Sequence, residues 1–324
     1  MHLQRLTVII PSYNRSSTLL QALGSLQAQT LPEFETLVVD NATDPKVERQ
    51  VKGFNRTARC PARYVPEPQL GLHNARHAGT RAATGEILVF TDDDATFDPE
   101  WLQAYATAFV AHPEMVAAGG PVRPVWECSP PQWLLDYMGS SNCFPILSLM
   151  EPYQEFRLEP KGYFFGVNMA IRRDALIAVG GFNPESFGDI WIGDGESGLN
   201  WKLWERKMLV GYVPEALTYH HIPPSRMTVE YFCRRMANQG AADAYTELHH
   251  RMPSRYQMFR TLRWLVRTRC SMWLCAWKLR GRSDSKSLQI QMNSAKTQAE
   301  AKYMLRLFLS NHFRQLVMKE NWLS

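Results

Sequence analysis

Three consecutive aspartates, Asp92, Asp93 and Asp94, stand directly after Glu86-Ile87-Leu88-Val89-Phe90. That β-branched and aromatic run, bounded by Gly85, predicts a buried strand whose carboxyl end carries three carboxylates in one turn. Like charges so close repel. Ligands of an open α/β sheet sit at the carboxyl ends of its strands, and the natural relief there is a divalent cation bridged to substrate phosphates. Asp92 and Asp94 are therefore read as an Asp-x-Asp metal site for a nucleotide diphosphate, with an acidic solvated turn as the plain alternative. A second acidic group, Gly193-Asp194-Gly195-Glu196, heads a helical pattern carrying Leu199, Leu203 and Trp204, a position where carboxylates also favour the helix dipole. His220-His221 ends a further strand-like run from Val213.

The elements around these residues alternate. Leu6–Ile10 is an apolar run but for Thr7 and stops at Pro11-Ser12-Tyr13-Asn14, as a strand does at proline. Ser16 or Ser17 can cap a helix whose Leu19, Leu23 and Leu26 recur at helical spacing. Thr36-Leu37-Val38-Val39 predicts a second buried strand ending in Asp40-Asn41, and Gly71 opens a helix running to about Ala83. The pattern is β-α-β with polar strand ends, as a parallel sheet presents a nucleotide site. No G-x-G-x-x-G follows either of the first two strands, so a dinucleotide-dependent dehydrogenase lacks its main signature. Trp101, Trp126, Trp133 and Tyr137 are assigned to the core rather than to a sugar-stacking platform.

Four segments now stand in register. Pro11-Ser12-Tyr13-Asn14, Val38-Val39-Asp40-Asn41, Gly71-Leu72-x-x-Ala75-Arg76 and Phe90-Thr91-Asp92-Asp93-Asp94 occur in the order and approximate spacing of the family 2 glycosyltransferases, which this chain resembles. The resemblance implies the GT-A fold: an α/β, Rossmann-like, mostly parallel sheet flanked by helices, here with a C-terminal helical extension. It implies an inverting, metal-dependent transfer from a nucleotide-sugar, UDP-linked by preference, to a carbohydrate or lipid-linked acceptor hydroxyl in polysaccharide or glycoconjugate synthesis.

The resemblance also implies roles. Pro11, Tyr13 and Asn14 would pack on the nucleotide, Asp40 would bond the uracil, and Arg76 would face the nucleotide or its diphosphate. Asp92 and Asp94 would hold Mg or Mn with Asp93 in support, Asp92 and Asp93 also meeting the nucleotide, and His220 approaching the diphosphate or joining the metal. Asn168, within Gly166-Val167-Asn168-Met169-Ala170-Ile171-Arg172-Arg173, would meet donor or acceptor sugar. Registering Leu199-x-x-Lys202-Leu203 on the family's helix puts Glu196 at the general base and Gly195 where a first acid stands. Asp194 is displaced by one, so the base lies between Glu196 and Asp194. A second departure is His77, where family members commonly have asparagine.

Charge divides the chain. Residues 1–223 hold 18 Lys/Arg and 25 Asp/Glu, whereas residues 224–324 hold 18 and 6. The first part is expected to be the catalytic domain, with 1–95 as nucleotide-binding half and 96–223 as acceptor half, and 224–324 to be a basic helical region. Such a surface suits anionic lipid, nucleic acid or an anionic acceptor, of which nucleic acid is not expected. In it Phe259, Leu262, Val266, Trp273 and Trp277 share a helix face beside Arg260, Arg263 and Arg267, which fits either a peripheral membrane contact or packing on the catalytic domain. No run of about 18 uncharged apolar residues spans a bilayer. The six scattered cysteines, the acceptor-like Asn41-Ala-Thr43 and Asn55-Arg-Thr57 without a leader, and a first strand reached within ten residues fit a cytoplasmic setting, including the cytoplasmic face of a membrane. Two other readings remain: a non-catalytic sugar-nucleotide or membrane-associated module, and a nucleotidyltransferase, which would usually carry a Gly-rich basic loop after the first strand.

Overall fold

Strands covered by helices on both faces need no polar alternation, and the apolar runs of this chain form them. The structure, a computed structural model, describes residues 5–14, 16–187, 190–191, 193–249, 252–280, 282 and 284–323. In chain order the first part is β1 (Leu6–Ser12), α1 (Ser16–Leu26), β2 (Glu35–Asp40), α2 (Pro45–Phe54), β3 (Ala62–Pro66), α3 (Leu72–Ala82) and β4 (Ile87–Phe90). Every residue of β1 and β4 is buried. Leu19, Leu23 and Leu26 of α1 face the same core.

The chain continues through β5 (Ala95–Phe97), α4 (Trp101–Ala111), β6 (Met115–Gly119), β7 (Val122–Trp126), α5 (Gln132–Met138), β8 (Cys143–Phe144), β9 (Leu149–Met150), β10 (Arg157–Glu159), β11 (Met169–Arg172) and α6 (Arg173–Ala178). Then come β12 (Ser186–Phe187), β13 (Ile190–Trp191), α7 (Gly195–Glu205), β14 (Leu209–Tyr212) and β15 (Thr218–Ile222). The main sheet runs β10-β14-β6-β11-β4-β1-β2-β3, and a second sheet β5-β15-β7-β9-β8 stands beside it. Within the main sheet β1, β2, β3 and β4 are parallel, and so are β6 and β14, while β11 runs antiparallel between β4 and β6. Trp101 lies in the core, and Trp126, Trp133 and Tyr137 pack partly buried against it.

The extension comprises α8 (Val229–His249), α9 (Arg255–Lys278), α10 (Ser285–Leu309) and α11 (Asn311–Val317). Phe232 of α8 and Leu288 and Met292 of α10 belong to the hydrophobic core that holds β1 and β4, so α8 and α10 are packed on the sheet domain. Tyr245, Met258, Met304, Leu307 and Phe313 form a core of the extension's own. Residues after α11 return to the first domain. The Trp322 amide donates to the Gly180 carbonyl (3.0 Å), and Leu323 packs against the core cluster that holds Phe182.

Candidate active site

Parallel pairing fixes where the polar strand ends emerge. Ile9 pairs with Phe90, so the segments after β1 and β4 leave the sheet side by side. Ser12 Oγ donates to Asp93 Oδ2 (2.8 Å), and Thr91 Oγ1 donates to the Val167 carbonyl (2.8 Å), which anchors the aspartate turn on both sides. The antiparallel β5–β15 pair sets His220 opposite Ala95, next to Asp94. His220 Nδ1 lies 2.9 Å from the Leu147 carbonyl and must be its donor, which leaves Nε2 as an acceptor. Arg226 fills that position. Its Nη1 is 2.7 Å from His220 Nε2, and its Nη2 is 2.5 Å from Asp94 Oδ2.

Arg76, on α3, lies at the opposite side of the same triplet and is wholly buried. Its Nη2 is 3.6 Å from Asp92 Oδ1 and its Nη1 3.2 Å from Glu196 Oε2, while the guanidinium stands 5.2 Å over the Phe182 ring. Gly166 makes room for it, because a Cβ there would strike the guanidinium. One cation thus joins the aspartate turn to the first turn of α7.

Beside Glu196 lies a carboxyl from another segment. Gly195 has φ +52°, and a Cβ there would collide with Glu185 Oε1, so the missing side chain leaves the space that Glu185 occupies. Glu185 bonds Glu196, and the proton belongs to Glu185. Burial and the Glu196 charge push the Glu185 carboxyl far above the ordinary carboxylate range. Against burial, which acts the other way, Arg76 and the Glu185 hydrogen bond hold Glu196 below that range. Glu196 is therefore ionised and Glu185 neutral.

Asp194 is spent differently. Its Oδ1 accepts from Asn183 Nδ2 (2.9 Å) and its Oδ2 from Thr246 Oγ1 (2.6 Å), tying the loop before α7 to α8. Burial raises its pKa against those two bonds. All these carboxylates line a cleft of about 960 Å³, whose other wall is α8 with Tyr231, Arg234, Arg235, Asn238 and Gln239.

Residues 7–180 match the sequence profile described as glycosyl transferase family 2. The chain belongs to glycosyl transferase family 2. It is 22% identical over 184 residues to a glucosyl-dolichyl phosphate glucuronosyltransferase of Haloferax volcanii, covering 56% of this chain and 57% of that protein. It is 28% identical over 214 residues to a validoxylamine A glucosyltransferase of Streptomyces hygroscopicus, covering 60% and 50%. The chain thus spans about half the length of these relatives. Among solved structures, a mannosyltransferase of Pyrobaculum calidifontis in complex with GDP-Man and Mn2+ superposes at TM-score 0.53 and 20% identity, covering 94% of this chain and 74% of that one. GalNAc-T7 with UDP, GalNAc and Mn2+ superposes at 0.53 and 15%, covering 72% and 48%. The fold is GT-A with a helical C-terminal part, as the sequence motifs imply.

In this family 2 chain the cleft gathers Pro11, Tyr13, Arg76, Asp92, Asp93, Asp94, Asp194, Glu196 and His220. Three expected site residues are not among its lining. Asn14 is exposed with φ 55°, a turn residue outside it. Asp40 is fully buried and accepts from Ala42 N (3.0 Å), Asp44 N (2.8 Å) and Tyr64 OH (2.9 Å), so its carboxylate ties the loop that follows it to β3. Asn168 accepts from Trp101 Nε1 (2.8 Å) and Tyr105 OH (2.7 Å) and donates to the carbonyls of Pro121 (3.0 Å) and Ala216 (2.8 Å). It ties α4 to the segments before β7 and β15 from behind the cleft lining. Neither is the expected trio Asp92, Asp94 and His220 gathered as one cage. Among the described residues no group of three His, Cys, Asp or Glu side chains is placed to hold an ion: Asp92 faces Arg76, and Arg226 bonds both Asp94 and His220, whose Oδ1 and Nε2 are 3.5 Å apart. Asp94 and His220 nonetheless fit a divalent cation in donor type, and the guanidinium bonded to both marks where positive charge is wanted.

Glu185, Arg226, Arg234 and Arg235 were missed by motif reading. Glu185 comes from a loop, and only the impossible first acid at Gly195 pointed to a carboxyl elsewhere. The excess of Lys and Arg beyond residue 223 was the signal for the arginines.

Proposed function

We propose that this protein is an inverting glycosyltransferase that moves a sugar from a nucleoside diphosphate donor to an acceptor hydroxyl. The observation that carries the reading is an ionised carboxylate, Glu196, bridged by a single buried arginine to the aspartate turn of one cleft. An alcohol is a poor nucleophile at neutral pH, and a carboxylate on the face opposite the leaving group can take its proton as the new bond forms. Glu196 has that role. A base held so acidic by Arg76 is weak in the resting cleft. A diphosphate arriving at the aspartate side draws the Arg76 guanidinium toward itself, loosens its hold on Glu196 and makes that carboxylate more basic when donor is bound.

The leaving diphosphate needs positive charge. Arg76 and Arg226 supply it from the protein, and Arg226 has to withdraw from Asp94 and His220 before those atoms are free to ligate. A divalent cation, manganese or magnesium, held by Asp94 and His220 would add Lewis-acid stabilisation of the leaving group. The likeness to solved glycosyltransferases holding Mn2+ with GDP-Man or with UDP and GalNAc supports this donor class. UDP-sugars are the first donors to try, beside GDP- and TDP-sugars in one panel, and a glycoconjugate or lipid-linked acceptor is the expected partner.

The test is a pair of variants. Glu196→Gln is expected to keep nucleotide binding by calorimetry and to lose about 100- to 10,000-fold in turnover. Asp194→Asn is expected to lower the melting temperature while the folded fraction keeps its rate. An active Glu196→Gln beside an inactive, well-folded Asp194→Asn would move the base to Asp194 and sink the assignment.

A further inference from the structure

We propose that the outward face of α9 docks on an anionic lipid surface. The helix is held from one side: Met258 is 1% exposed in the extension's core, and α10 packs along it. The other side is open. Tyr256, Phe259, Leu274 and Trp277 are 69%, 50%, 48% and 62% exposed, an unusual set of large apolar groups to leave in water. At 100° per residue these four and Arg263 fall within an arc of about 60°, flanked by Arg260 and Lys278. The four share one face of the helix, two near its start and two near its end. The side chains of Val266, Arg267 and Trp273 lie outside the described residues.

Charge selects the partner. Residues 251–282 contain nine Lys/Arg and no Asp/Glu. Such a segment is repelled by basic surfaces and drawn to anionic ones. Charge alone would suit any polyanion, but aromatic and aliphatic side chains interleaved with arginines fit the headgroup boundary of a bilayer: rings sit at that depth and long basic side chains reach back to the phosphates. The helix would lie in the surface plane, since no helix among the described residues is long and apolar enough to cross a membrane.

Sedimentation of the full chain with vesicles tests this apart from catalysis, because it reads binding and needs neither donor nor turnover. Phosphatidylcholine vesicles are compared with vesicles that also carry phosphatidylglycerol, at low and high salt. The expected result is salt-sensitive binding to the anionic vesicles, about tenfold or more stronger than to the neutral ones. Phe259→Ser with Trp277→Ser, and separately Arg260→Glu with Arg263→Glu, should each lower that binding about tenfold. Both pairs are solvent-facing, and an unchanged melting temperature checks that they fold. Absence of binding to anionic vesicles overturns the proposal. So does binding that the Phe259/Trp277 pair leaves intact, or equal affinity for a single-stranded oligonucleotide with loss only in the arginine pair, which would assign the face to a polyanion.

Discussion

Glu196 and Glu185 show how one proton can be allotted between two carboxyls. Burial penalises two neighbouring charges, Arg76 stabilises the charge on Glu196, and the proton stays on Glu185. A raised folded pKa means that Glu185 contributes fully below its ordinary 4.5 and that the contribution is lost as pH rises through the folded value. Alkaline solution should therefore loosen the α7 entry and depress activity. Glu185→Gln, which imitates the neutral form, should keep activity and move the alkaline limb of the rate profile upward, while Glu185→Ala should lose both. An alkaline limb unmoved by the glutamine would assign it to another group. At the other side of the aspartate turn, Arg226 competes with any ion for Asp94 and His220. Arg226→Ala is expected to tighten manganese binding about tenfold, worth ~1.4 kcal/mol, in a titration without donor. Weakened or unchanged affinity would mean that the ion sits elsewhere.

The helix α3 carries the bridging arginine and is itself clamped by histidines. His77 Nε2 accepts the Phe182 amide (3.0 Å), which holds the Gly180-Gly181-Phe182 turn against α3. His73 meets the Trp322 ring edge-on at 6.4 Å between centroids. Burial lowers His73 to about 4 and His77 to about 3, from an ordinary 6.5. Depressed values place the stabilisation above pH 6.5 and remove it as pH falls toward the folded values. Each histidine then costs up to about 1.4 kcal/mol per pH unit below that point. Urea unfolding between pH 7 and pH 5 should show the loss, and His77→Gln, which retains an acceptor, should flatten it. Identical slopes in the two proteins would remove His77 from the account.

Elements of this kind were legible. The runs in β1 and β4 are buried on both faces, and α3 begins within a residue of its Gly71 signal. Direction of a polar side chain was not. Asp40 and Asn168 are polar residues at strand ends, yet a residue type does not say whether its polar head turns into the cleft or back into the fold. Likewise Arg172, at the start of α6, donates Nε to the Met115 carbonyl at 2.8 Å, over the Phe109 ring, a direction its residue type does not announce.

At the scale of the whole molecule, the expected division at residue 223 falls across the cleft. Residues of the sheet domain form one wall, α8 forms the other, and Thr246 reaches over to Asp194. Composition marked the change of surface charge there, and nothing in composition says that α8 will turn Arg234 and Arg235 toward the acidic rim of the cleft. The last residues brace the same assembly from behind: Lys202 Nζ donates to the Gly181 carbonyl (3.0 Å) and the Glu320 carbonyl (3.4 Å). Deleting residues 320–324 leaves a buried ammonium short of a partner and uncovers the turn that holds Phe182. The expected cost is about 1–3 kcal/mol, a fall of several degrees in melting temperature, with weaker nucleotide binding. An unshifted melt would show that the brace is dispensable. The brace also has a consequence for birth of the protein. One wall of the cleft is translated before the other and its rear support after both, so during synthesis the Asp92–Asp94 turn is exposed until α8 has emerged to cover it.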